Sequence, residues 1–202
     1  MNARNADNKN VNNRGGNLFV VSAPSGAGKT TLCRAVRQAY PDIRYSISHT
    51  TRKPRPNESN GVDYHFTTEA AFLAMRDQGH WAEWARVHGH YYGTSINILD
   101  RALEKGQDIL LDIDVQGTRQ LLQRYATAIT IFIMVPSLEI LRQRLEKRAT
   151  DDSETIEWRL RHAEKEIAQI SIYRHVIVND DLDRATDEFI QIVADYRKER
   201  RA

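Results

Sequence analysis

Residues 18–31 read LFVVSAPSGAGKTT. An apolar, β-branched run leads into a turn that crowds two glycines and a lysine together, and a helical pattern follows. A phosphate-binding loop is glycine, four residues, then Gly-Lys-Ser/Thr, after a strand and opening a helix. Gly26, Gly28, Lys29 and Thr30 meet this pattern, with Ala23 standing where its first glycine would be. A dinucleotide fingerprint fails, because its third glycine would fall on Thr31. Such a turn aims successive backbone N–H groups inward, and the helix N-terminus adds positive potential. Ala23, Pro24, Ser25, Gly26, Ala27, Gly28, Lys29, Thr30 and Thr31 are therefore expected to wrap a nucleoside triphosphate. Lys29 would reach the β- and γ-phosphates and Thr30 would ligate magnesium. Ala23 requires only a φ that an L-residue can hold.

Further apolar runs at Ile109–Leu111, Ile129–Val135 and Val176–Val178 repeat the character of Leu18–Val21. Their β-branched content without polar alternation predicts strands buried on both faces. Helical stripes separate them: Leu32, Val36 and Ala39; Ile96, Leu99 and Leu103 after a capping Ser95; Leu138, Leu141 and Leu145 after Ser137. Ile156, Leu160, Ala163, Ile167 and Ile170 form another, and Phe189, Ile192, Val193 and Tyr196 the last. Alternation of strands and helices predicts an α/β fold with a parallel sheet covered by helices on both faces. From about residue 43 to 92 the pattern turns shorter and more polar, rich in Thr, Tyr, His and Trp, which predicts an inserted strand-rich lobe. The core is then about 17–42 and 93–202, and residues 1–16, rich in Asn, read as a flexible tail.

The 202 residues suffice for one well-packed domain. No stretch approaches the roughly 18 apolar residues of a membrane span, and no secretory leader is visible. The formal net charge is +2, and Arg4, Lys9 and Arg14 against Asp7 place that excess in the tail, so the body is neutral. A neutral body argues against a dedicated nucleic-acid surface. Cys33 is the only cysteine, which excludes an intrachain disulfide and a cysteine-cluster zinc site. The expected setting is reducing and cytoplasmic, and the oligomeric state is left open.

Two further groups carry chemistry. ILLDID ends a strand with Asp112 and Asp114, expected to lie on one side of it, and Asp112 would hold magnesium through its water shell. In SHTTRKPRPNESNGVDY, Arg52 and Arg55 are stiffened by Pro54 and Pro56, with Tyr64 downstream. Two guanidiniums and a phenol can grip a phosphate. WAEWARVHGHYYGTS then offers Glu83, Tyr91, Tyr92 and Thr94.

In order and spacing, SAPSGAGKTT, SHTTRKPRPNE, GVDYHF, YYGTS, LDIDVQG, RLEKRATD and VIVNDD together resemble the guanylate kinases, from about Asn17 to Tyr196. The resemblance implies a fold of the P-loop NTPase type and transfer of the γ-phosphoryl of ATP, as MgATP, to GMP; it leaves dGMP open. It implies that Arg52, Arg55, Tyr64 and Tyr92 bind the GMP phosphate and that Ser48, Glu83, Thr94 and Asp114 line the guanine pocket. It further implies a helical lid at about 142–160 whose Arg144 and Arg148, with Arg159, meet the ATP phosphates, and Asn179 near the adenine. Lys29, Arg52, Arg144, Arg148 and Arg159 would be the catalytic set. Asn57 and Ala149 replace glycines of the family pattern. Peptide-binding scaffold modules and a ribose bisphosphate kinase share this body. Intact Lys29 and Thr30 argue against the first, and Glu83 with YYGT against the second.

Overall fold

The computed structural model describes residues 15–87, 89–147 and 152–201, with residue 201 described by its backbone alone. Most of the expected tail, together with Arg148 and Ala149, lies outside these residues. In chain order, β1 (Leu18–Ser22) is followed by α1 (Lys29–Ala39), β2 (Arg44–Tyr45), β3 (His49–Thr50), β4 (His65–Phe66) and α2 (Glu69–Asp77). Then come β5 (Trp81–Val87), β6 (His90–Ser95), α3 (Ile96–Glu104), β7 (Ile109–Asp112) and α4 (Val115–Arg124). The chain closes with β8 (Ile129–Met134), α5 (Leu138–Lys147), α6 (Ser153–Ile167), a short 3-10 turn at Ile170–Ile172, β9 (His175–Val178) and α7 (Leu182–Arg201).

Five strands form a parallel sheet in the order β2-β7-β1-β8-β9. Alternate side chains of β1 serve opposite faces, as the pleat requires. Phe19 and Val21 join Leu32, Val36, Leu141, Leu145, Leu160, Phe189 and Val193 on the face covered by α1, α5, α6 and α7. Leu18 and Val20 meet Leu99, Ala102 and Leu121 of α3 and α4 on the other. The expected stripes are thus core faces, except that Ala39 is exposed and Cys33 takes the buried place beside Leu32 and Val36. Ser95 does stand at the N-cap of α3 but its side chain caps nothing, being the buried last residue of β6. Ser137 does cap, its Oγ accepting from Ile140 N–H at 3.2 Å.

The second sheet, β4-β3-β6-β5, falls in the segment expected to form the lobe, except that β6 runs on to Ser95, past the expected bound at about 92. Its first strand comes later than expected, because Arg44 and Tyr45 pair with Ile109 and Leu110 and so belong to the parallel sheet. Among the described residues no helix is long and apolar enough to cross a membrane.

At the end of the sheet away from the glycine turn, α7 is stapled to the core. The carboxylate of Asp108, 3% exposed, accepts from Asn17 N–H at 2.8 Å and from Arg200 at 2.5 Å, and pairs with Arg197 Nε at 2.9 Å. Removing it takes the buried anion from two largely covered guanidiniums, leaving Arg197 only the exposed Asp42 and Arg200 only the carbonyls of Gly15 and Gly106, a loss of about 3 kcal/mol. Asp108→Ala should therefore lower the melting temperature by roughly 10 °C for a domain of this size. The activity that the resemblance implies should stay within twofold of that of the unaltered chain, which thermal melts and a coupled assay would check.

Candidate active site

β1 stops at Ser22, and the chain turns through Gly26 and Gly28, whose φ angles of 100° and 96° are left-handed and favour glycine. Ala27 N–H closes the turn on Pro24 O at 3.0 Å. A Cβ at Gly28 would lie 2.3 Å from Asn179 Nδ2, so the loop is also packed too tightly there for a side chain. α1 begins at Lys29 without a side-chain cap and with no acidic residue in its first turn. Its first N–H groups are thereby left for an anion. Thr30 is exposed at that same end.

Lys29 Nζ is ion-paired with Asp112 Oδ1, and Tyr45 Oη lies 3.4 Å from the other oxygen of Asp112. Burial works against the ammonium, but Asp112 outweighs it, aided by Cys33 and Glu166, and the lysine's pKa stays above its usual value. The expectation that Asp112 and Asp114 share one face of a strand is not met: β7 ends at Asp112. Asp114 instead caps α4, its Oδ1 accepting from Gly117 N–H at 2.7 Å. Its Oδ1 and Glu83 Oε2 both lie against Gly117, 3.3 and 2.8 Å from where a Cβ there would sit.

Glu83 is 5% exposed and sits opposite Thr94 in the β5–β6 ladder. The register shifts between Trp81 and Glu83, and Trp81, Ala82 and Glu83 are all buried, against the alternation of a plain strand. A bulge of this kind re-aims a side chain. Thr94 Oγ1 donates to Glu83 Oε1 at 2.6 Å, while Oε2 faces Gly117, where an added Cβ would lie 2.8 Å from it. Burial above all, and the nearby Asp114, push the Glu83 carboxyl up to about 7 against the hydrogen bond from Thr94. Ser48, half-buried, lies between β2 and β3, its carbonyl accepting from His65 N–H at 2.9 Å.

On the same lobe Arg52 Nε donates to Tyr92 Oη at 3.2 Å, and its guanidinium carbon stands 5.3 Å from the centre of the Tyr64 ring. Tyr64 and Tyr92 meet edge to face at 5.9 Å. Burial and then Tyr92 raise the Tyr64 pKa, against the Arg52 guanidinium beside it. Arg55 is exposed.

α5 and α6 pack together beside the loop and carry the expected lid arginines. Arg144 donates to Asn179 O at 2.8 Å, and Arg159 to Ser25 Oγ at 3.1 Å. Arg148 lies outside the described residues. Asn179 is 4% exposed and gives its Nδ2–H to Ala27 O at 2.8 Å, so this amide braces the glycine turn rather than standing free for a base. A cleft of about 460 Å3 opens between Ser25 and the first turns of α6, lined also by Asp152, Thr155, Trp158 and Arg159.

Two carboxylates escape a reading by motif. Glu166 lies seven residues after Arg159 on α6, hence on the same helix face. Burial pushes it up to about 7, against the pull of Lys29. Glu58 binds Arg52 NH2 at 2.8 Å. The helical spacing from Arg159 could have flagged the first, and the turn after Arg55 the second. Among the described residues no three His, Cys, Asp or Glu side chains converge as a metal-ligating group.

The sequence model of the guanylate kinase family matches residues 15–196. The guanylate kinase of Syntrophotalea carbinolica is 52% identical over 180 residues, 89% of this chain and 86% of that protein. That of Geobacter sulfurreducens is 48% identical over 180 residues, 89% of each. The crystal structure of guanylate kinase from Anaplasma phagocytophilum superposes with a TM-score of 0.70 at 33% identity, covering 93% of this chain and 87% of that one. With a glycine turn and its lysine on one side and a buried Glu–Thr pair beside an Arg–Tyr–Tyr cluster on the other, the chain belongs to the guanylate kinase family.

Proposed function

We propose that this enzyme transfers the γ-phosphoryl group of ATP to GMP, giving ADP and GDP, within purine nucleotide metabolism in a reducing cytoplasm. The observation that carries the reading is the buried Glu83–Thr94 pair with Asp114 beside it. Guanine presents two adjacent donors, N1–H and the 2-amino group, and an ionised carboxylate accepts from both. Adenine has a bare N1 and no 2-amino group, so the same carboxylate would be left unpaired. Thr94 and Ser48 complete the base pocket, and Arg52, Arg55, Tyr64 and Tyr92 take the phosphate. Cys33, its thiol pushed up to about 12 chiefly by burial, serves packing alone.

On the donor side, residues 23–31 wrap the ATP phosphates, and Lys29, Arg144, Arg148 and Arg159 offset the charge of the transferring group. Asn179 supports this side through the loop it braces. Thr30 and Asp112 are hard oxygen donors of the kind magnesium accepts while keeping several waters, which fits Mg2+ arriving as MgATP. The ion would supply charge neutralisation between the phosphates. No general base is needed, since the GMP phosphate oxygen is itself the nucleophile that attacks the γ-phosphorus in line as the bond to the β-bridging oxygen breaks. What remains for the protein is to bring two anions together and hold them in line.

Lys29→Ala should lower kcat about a hundredfold or more, on the order of 3 kcal/mol of transition-state stabilisation, with the circular dichroism spectrum unchanged. Activity within threefold of the unaltered enzyme would remove the loop from the mechanism.

The pKa of Glu83 sets a pH dependence. With the carboxyl pushed up to about 7, it is protonated below and ionised above that pH, and guanine needs the ionised form. kcat/KM for GMP should therefore rise between pH 6 and pH 8. Glu83→Gln should depress GMP use, narrow the GMP/AMP ratio by orders of magnitude and flatten the rise, leaving only ionisation of the nucleotide phosphate near pH ~6. An unchanged GMP/AMP ratio in the variant would show that Glu83 does not read the base.

A further inference from the structure

A guanidinium meets a phosphate bidentately only if its planar fork is already turned the right way, yet arginine carries about 2 kcal/mol of rotamer entropy. Arg52 stands on a short, largely exposed segment, where nothing in the core would hold it. Every nitrogen of its guanidinium nevertheless has a partner. Nε–H goes to Tyr92 Oη at 3.2 Å, NH1 to Lys53 O at 2.9 Å and NH2 to Glu58 Oε1 at 2.8 Å.

Glu58 is the charged member of that set, and it is itself immobilised. Its second oxygen, Oε2, accepts from Arg55 N–H at 2.8 Å, and its own N–H closes a turn on Arg55 O at 3.0 Å. Pro54 and Pro56 flank that turn and restrict its backbone. The carboxylate is thus anchored at both ends: one oxygen on the turn, the other on the guanidinium. Arg52 and Glu58 side chains are only 15% and 16% exposed, so the pair is partly shielded from water. NH1 and NH2 each carry two hydrogens, and each has given one. Two N–H groups of one planar fork remain for an incoming oxyanion.

We propose that Glu58 is a positioning residue for the acceptor phosphate: anchored on the Arg55 turn, it holds the Arg52 guanidinium in the orientation that receives GMP. This rests on the reading above that Arg52 binds the GMP phosphate. Glu58 touches no nucleotide and acts through Arg52. The ion pair also holds the Glu58 carboxyl down to about 2, chiefly through the hydrogen bond from Arg52, so the bracket stays charged across the working pH range. A carboxylate that merely kept the site filled until phosphate displaced it would need to swing away, and the bond from Arg55 N–H opposes that.

The test is steady-state kinetics of the full chain at saturating MgATP with GMP varied, for Arg52→Ala, Glu58→Ala, Glu58→Gln and the Arg52→Ala/Glu58→Ala double variant. Losing a hydrogen-bonded charged partner should raise the KM for GMP about tenfold in Glu58→Ala, with the KM for ATP within twofold. Glu58→Gln, which keeps one acceptor but not the charge, should fall between. The double variant should match Arg52→Ala within twofold, because a bracket has no effect once the arm it holds is gone. A Glu58→Ala enzyme with unchanged or lower KM for GMP would overturn the proposal, as would additive effects in the double variant. An Arg52→Ala enzyme with unaltered KM for GMP would instead sink the underlying placement of the acceptor phosphate.

Discussion

The Lys29–Asp112 ion pair ties the glycine turn to the neighbouring strand of the parallel sheet. Lys29 opens α1 directly after the glycine turn, and Asp112 ends the strand beside β1, so the pair follows from the parallel β1–β7 register. A lysine there cannot go without an anion: burial alone would depress its pKa, and Asp112 reverses the sign. Under the proposed function, the ATP phosphates would give Lys29 a second anion, leaving Asp112 as a residue that would hold magnesium through water. The same carboxylate also adds to the rise in the Tyr64 pKa, so its charge is felt on the second sheet as well as at the glycine turn. Asp112 and the glycine turn stand where an open parallel sheet places its ligands, at the carboxyl ends of strands flanking a switch in strand order.

The base pocket answers a different constraint. Glu83 is among the few buried charged residues, and its surroundings disfavour ionisation in the empty state. Burying a carboxylate is tolerable only when its lone pairs find donors. Thr94 supplies one; the space that Gly117 leaves beside Oε2 supplies none. A ligand with two adjacent N–H donors completes what the protein leaves unfinished. One lacking them inherits the full cost of the buried group, so under the proposed function selectivity would rest on a penalty as much as on attraction.

Most of the fold was legible because its signals are local. The β-branched runs with neighbouring helical stripes specify a parallel sheet, and α1 runs over Lys29–Ala39 as its pattern suggests. What escaped depends on tertiary contact. Arg44 and Tyr45 look like the start of the polar lobe, and only pairing with β7 makes them part of the core sheet. Asp114 follows Asp112 at strand spacing, but the chain ends the strand between them, and a helix start needs a cap more than a strand needs another residue. The candidate site was legible as residue types in motifs. The bracing of the loop by Asn179, the Glu83 bulge and the Glu58 bracket are properties of geometry, for which a one-dimensional pattern carries no mark.

The two sheets are not joined evenly. α4 meets β5 directly: Gln120 accepts from Trp84 N–H at 3.0 Å and donates to Trp84 O at 2.9 Å, taking the place of a neighbouring strand. Gly117, one turn earlier, lies against Glu83, and Asp114 begins the same helix. The Glu83 end of the lobe is therefore fixed to the core through one face of α4. Its other end is held differently, by Arg52, Glu58, Tyr64 and Tyr92 binding one another within the lobe. A lobe that turns on the α4–β5 contact would keep Glu83 and Asp114 in register while carrying the phosphate arginines toward Lys29 as one body. That division suits a reaction in which the base must be recognised first and two phosphates, which repel one another, brought into line last.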